Sequence, residues 1–146
     1  MRPASNVPPA CPSRVTARTS PCVADRCVAD ADNHVLRLVS LVSGSTTLDG
    51  FGPDGPGTAD GQSPSFNGPL GVDFAPDNGR LAVADEQNAS VRLLASPLSS
   101  PRGKARTLAG GTVGFVDGTG TTVRFNQPAD VAFSPDGERL VVADTG

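Results

Sequence analysis

The only histidine of the 146-residue chain, His34, sits in the run Asp30-Ala31-Asp32-Asn33-His34-Val35-Leu36-Arg37, where an imidazole, carboxylates and an amide lie close enough in sequence to suggest acid–base chemistry. A histidine acting as a general base needs a nucleophile to deprotonate and an acid to orient it. No Gly-x-Ser-x-Gly elbow, P-loop or His-Glu-x-x-His string accompanies it. Carboxylates recur at Asp30, Asp85 and Asp144, which raises the question of calcium, an ion that gathers about six to eight oxygens around one point. These three are spread far apart along the chain, so each is read as ending a strand and accepting hydrogen bonds from the N–H groups of the following turn, with Asn33 or Asn88 in an αL or Asx-turn position. Asp49, Asp54 and Asp60 form a denser group in a Gly/Pro loop and read as solvated loop acids, able at most to hold a cation weakly. Arg102, Lys104 and Arg106 make the one basic cluster. Single-stranded nucleic acid is bound by stacking bases on aromatic rings in a basic groove. With no Tyr or Trp and a formal charge of −3, that cluster is expected to be a solvated hairpin loop and no nucleic acid is expected as partner.

The elements that must carry these residues announce themselves by repetition. The stretch 125–144 copies 66–85 at a constant shift of 59 without a gap, pairing Phe66 with Phe125, Asn67 with Asn126, Asp77 with Asp136 and Asp85 with Asp144. Residues 30–38 match 85–93 at a shift of 55, and 47–50 match 107–110 at a shift of 60. Units repeating at such periods stack because none can bury its own apolar face. Short apolar bursts rich in β-branched residues and Phe, bounded by turn residues, predict strands at 72–75, 81–84, 91–95 and 105–109, repeated at 131–134 and 140–143. In Pro76-Asp77-Asn78-Gly79 the proline pre-sets φ and Asn or Gly supplies a positive φ. Four antiparallel strands and a Gly/Asp-rich crossing are the plan of a propeller blade. One complete blade is expected over about 69–110, flanked by the later strands of one blade and the first two of another. Gly110-Gly111-Thr112-Val113-Gly114 leads to a further strand instead of a helix, so a phosphate-binding role fails.

Composition sets the outer limits. With 17 Gly and 14 Pro and no collagen period, the chain suits a turn-dense all-β fold. Of 15 acidic residues 13 are Asp, the acid that caps and bends backbones. Residues 1–21, rich in Pro, Ser, Thr and Arg and without an acid, are expected to be a disordered leader, and 22–146 the folded segment. Arg2, Arg14 and Arg18 make the leader compatible with an organelle transit peptide; otherwise the compartment reads as cytoplasmic. Cys11, Cys22 and Cys27 are a poor disulfide framework and lack the second ligand pair of a zinc site. No apolar run approaches the ~20 residues that span a bilayer, so no membrane is expected as partner.

On these residues the chain resembles the NHL-repeat family of six-bladed β-propellers. The likeness is carried by Phe125-Asn126-x-Pro128, Val131-Ala132-Phe133, Pro135-Asp136-Gly137 and the strand 140–144, and by Asn33-His34-Val35-Leu36 with Arg37. In the second copy Asn88 is kept and Ala89 replaces the histidine. The resemblance covers about 28–146 and implies a partial β-propeller of four-stranded antiparallel blades. Asp30, Asn33, His34, Asp85, Asn88, Asp136 and Asp144 then become structural signature positions, and no catalytic, cofactor-binding or metal residue is assigned. The leading expectation is a non-enzymatic scaffold segment for protein or ligand binding, part of a longer protein, with a protein partner or further blades against it. The alternatives are part of a lactonase-like propeller hydrolase or lyase with metal ligands in other blades, and a two-blade unit that self-assembles into a ring as a homo-oligomer.

Overall fold

The computed structural model describes residues 25–40, 46–51, 55–95 and 104–146. The expected leader, Cys11, Cys22, Asp54 and Arg102 lie outside them, as do the side chains of Asp49 and its neighbours in that strand. The described residues form nine strands in three antiparallel sheets: β1 Asp25–Asp30, β2 Val35–Ser40 and β3 Thr46–Phe51; β4 Pro69–Phe74, β5 Arg80–Asp85, β6 Ser90–Ala95 and β7 Ala105–Gly110; β8 Pro128–Phe133 and β9 Leu140–Asp144. In each sheet the strands lie side by side in chain order. The fold is all-β, as expected, and the three sheets do not close on themselves.

β4, β5, β6 and β8 start one to three residues earlier than the apolar bursts alone suggest, while β7 and β9 start where the bursts do. β4 and β8 both open on a proline, which a strand tolerates at its first residue because no ladder N–H is needed there. Ala75 and Ser134, expected within strands, begin the turns instead: the Asn78 N–H donates to the Ala75 carbonyl and the Gly137 N–H to that of Ser134, each at 2.8 Å. Asn78 (φ 56°) and Gly137 (φ 72°) supply the left-handed residue that the turn sequence requires.

Two apolar layers hold the sheets together. Leu36, with Cys27 and Ala29 of the first sheet, packs against Leu81, Val83 and Leu94 of the second around Phe66. On the other face of the second sheet Ala82, Ala84 and Val91 meet Val131, with Phe125, Phe133 and Val142 beside them. Alternate residues of β5 thus face opposite neighbours, so that the strand is buried on both sides, with Leu81 to Ala84 all at 0% exposure. The first strands of the second and third sheets approach closely at Gly71, where a Cβ would strike the backbone of Asp130 and Ala129. There the Asp73 carboxylate accepts the Phe133 N–H at 2.8 Å, a strand-to-strand tie between sheets.

Candidate functional site

The repeated acids are bonded mainly within the protein. Asp85, at the end of β5, is fully buried. Its Oδ1 accepts the Asn67 N–H at 2.7 Å, while Oδ2 accepts the Asn88 amide at 2.8 Å and the Arg92 guanidinium at 3.0 Å. Arg92, on β6 and 1% exposed, also donates to the carbonyls of Ser65 (2.9 Å) and Ala59 (2.7 Å) and to Asp60 Oδ1 (2.6 Å). Its guanidinium lies 5.2 Å from the centre of the Phe66 ring. One planar cation therefore joins the loop before β4 to the ends of β5 and β6, which is the work a guanidinium fork does well. Asp60 extends the clasp to β7 by accepting the Thr107 N–H at 2.9 Å.

The first copy repeats the inner half of this arrangement. The Asn33 amide donates to Asp30 Oδ1 at 2.8 Å, and Arg37 Nε bonds Asp30 Oδ2. In the third, the Asn126 N–H donates to Asp144 Oδ1 at 2.8 Å, matching Asn67 and Asp85. The environments set the protonation of these acids apart. Burial pushes the Asp85 carboxyl above the usual aspartate value, against the pull of its donors. Asp30 is held below it by the Asn33 amide and the Arg37 guanidinium.

Two expectations are corrected. The N–H donors to Asp85 and Asp144 come from Asn67 and Asn126, both 18 residues earlier, and not from the following turn, whereas Asp30 does take the Asn33 N–H of the turn that follows it. After Asp85 the chain enters a 3-10 turn in which the Ala89 N–H donates to the Glu86 carbonyl and the Gln87 N–H to the Asn67 carbonyl, and the turn reaches Asp85 through the Asn88 side-chain amide. Nor do Asn33 and Asn88 take the left-handed conformation: the next residues do, His34 at φ 58° and Ala89 at φ 47°, and the asparagines use their amides on the acid.

His34 Nδ1 accepts the Gly68 N–H at 3.0 Å, so the imidazole ties the first sheet to the loop that opens the second. Asp136 stays in its turn, where the Ser134 hydroxyl and the Glu138 N–H hold its carboxyl below the usual value. Lys104 and Arg106 are exposed, but Arg106 lies within β7, opposite Leu93, and not in a loop. The Cys27 thiol is free, and burial pushes its pKa up to about 12. Asp60 is an exposed loop acid that also pairs with a guanidinium 32 residues away. Arg92 is the residue missed as a buried centre; the signal for it was the recurrence of arginine at 37 and 92 in matching copies. Among the described residues no three His, Cys, Asp or Glu side chains converge as a metal site requires, and no helix is long and apolar enough to cross a membrane.

No family model and no curated protein matches the chain. Solved structures do. An auxiliary nutrient binding protein from Bacteroides ovatus ATCC 8483 matches 83% of this chain at a TM-score of 0.64 and 20% identity. A second such protein, from Bacteroides thetaiotaomicron VPI-5482, matches 83% at 0.65 and 19%. A protein of unknown function from the same strain matches 82% at 0.67 and 21%. At these identities the likeness is one of fold. The chain spans about a third of the length of each, 32%, 32% and 30%.

Proposed function

We propose that the three sheets are consecutive blades of an NHL-type β-propeller, and that this segment acts without catalysis as a scaffold for protein or ligand binding. The observation that carries the reading is the fate of the polar signature. Asp30, Asn33, His34, Asp85, Asn88 and Asp144 all spend hydrogen-bonding capacity on neighbouring strands and loops, and Asp136 spends it within its turn. Groups so occupied fix a framework, and a framework presents its loops for recognition. Repeated packing supports the blade assignment: β4 packs on β1 as β8 packs on β5, the first strand of one sheet against the corresponding strand of the sheet before. Two of the structural neighbours are described as nutrient binding proteins, which favours retention of a small molecule over its conversion.

The test is a thermal-shift screen of the chain against small nutrients, including saccharides, amino acids and lactones, with each hit recovered and weighed by mass spectrometry. The reading expects a ligand that raises the melting temperature and returns unchanged. A lactone or other ligand returned hydrolysed or cleaved would instead support the propeller hydrolase or lyase.

A further inference from the structure

Two asparagines of the chain are followed by glycine, in Asn67-Gly68 and Asn78-Gly79. At such a pair the main-chain nitrogen of the glycine can attack the side-chain carbonyl carbon of the asparagine, because no Cβ on the second residue obstructs the approach. The fold treats the two pairs in opposite ways. Gly68 is buried and its N–H donates to His34 Nδ1 at 3.0 Å, and Asn67 Oδ1 is buried beside it. The Asn67 main chain is held as well, its N–H by Asp85 Oδ1 at 2.7 Å and its carbonyl by the Gln87 N–H at 3.0 Å. Cyclisation there would break the bond to His34 and set a ring into packed protein, where the Gln87 side chain already lies 2.8 Å from the place of a Gly68 Cβ.

Asn78 and Gly79 stand in the turn between β4 and β5, beyond the last ladder pair, Phe74 opposite Leu81. Gly79 is exposed, and the atoms nearest the place of its Cβ are those of the Asp77 carboxyl, at 3.4 Å or more. The Asn78 side-chain amide makes no hydrogen bond among the described residues. The turn is held by the Asn78 N–H on the Ala75 carbonyl (2.8 Å) and the Ala75 N–H on the Arg80 carbonyl (2.9 Å), whereas the Gly79 N–H donates to a side chain, Asp77 Oδ1, at 2.8 Å. Losing the Gly79 N–H therefore costs the turn no main-chain bond, and a carboxylate already accepts the proton that must leave. Arg80, 3.5 Å from Asp77, offsets the charge of that carboxylate. We propose that Asn78-Gly79 is a site of spontaneous covalent modification, at which Asn78 is converted to aspartate and isoaspartate through a succinimide. The Gly79 nitrogen bonds to Asn78 Cγ and gives up its proton, and the Cγ–Nδ2 bond breaks with release of ammonia. Water then adds to one of the two ring carbonyl carbons. Cleavage of the bond between Cγ and the Gly79 nitrogen leaves aspartate; cleavage between the Asn78 main-chain carbonyl carbon and that nitrogen leaves isoaspartate, with one more methylene in the main chain. Either product sets a new carboxylate next to Asp77. The inference goes beyond the scaffold reading and is independent of it, because it rests on the surroundings of two dipeptides.

The experiment is incubation of the native full chain at mildly alkaline pH in heavy-oxygen water, with peptide mapping by mass spectrometry over time. Peptides spanning Asn78 should take up the label and the mass change of an amide turned to an acid, about tenfold or more faster than peptides spanning Asn67. In urea, where neither pair is held by the fold, the two asparagines should convert at similar rates. Asn78→Gln, whose longer side chain closes its ring far more slowly, should remove the signal from its own peptide and leave that of Asn67 unchanged. Equal native rates at the two asparagines, faster conversion at Asn67, a rate ratio as large in urea as in the native chain, or an unlabelled Asn78 in native protein whose unfolded form has converted would each overturn the proposal.

Discussion

Asp30 and Asp85 hold the same place in two copies of one motif, yet burial separates their protonation. The Asp30 carboxyl, lowered by Asn33 and Arg37, contributes stability that is present above the usual aspartate value and is lost as pH falls through its folded value. Asp85, raised by burial despite its donors, has the opposite sign: its linkage favours the fold below the usual value, and that contribution is lost as pH rises through the folded value. Carbon-detected NMR titration of the side-chain carboxyls should therefore show Asp30 ionising at lower pH than Asp85. His34 offers a second residue-scale prediction. His34→Ala removes the acceptor of the buried Gly68 N–H and should cost about 1–2 kcal/mol in urea unfolding. Ala89, in the matching place, has no side-chain acceptor to lose.

At the scale of elements, the close approach of β4 and β8 makes Gly71 sensitive. Gly71→Ala places a methyl on the Asp130 backbone, and forcing the sheets apart should lower stability by about 2–3 kcal/mol, read from the denaturation midpoint. Gln127 points the other way. It holds φ 60° where its counterpart Gly68 holds 62°, so Gln127→Gly should relieve left-handed strain and, net of glycine's chain entropy, stabilise by about 0.5 kcal/mol in the same assay. Strands and turns were legible in the sequence because β-branched bursts and Pro-Asp turns encode them locally, and the copies at 66–85 and 125–144 align without a gap. The partners of the acids were not. Arg92 reaches Ser65, Ala59 and Asp60 across 27 to 33 residues, and an arginine in a strand reads as a surface cation until the fold buries it. Gly71 likewise looks like any strand glycine until β8 arrives beside it.

At the scale of the molecule, three sheets packed in series repeat one polar frame, in which arginine bonds the acid in the first two. If the frame serves structure, removing Arg92 must damage folding, because the Asp85 charge is left without a cation in the interior, whereas Arg92 keeps Asp60 when Asp85 is neutralised. Asp85→Asn and Arg92→Met together form the decisive double-mutant cycle, measured by chemical denaturation alongside ligand binding. Arg92→Met should lose about 3–5 kcal/mol by stranding the Asp85 carboxylate. The double variant should lose less than the sum of the single ones, the signature of a coupled pair. Single variants that keep native stability while losing ligand binding or turnover would contradict the account and make the Asp85 and Arg92 pair part of a functional site.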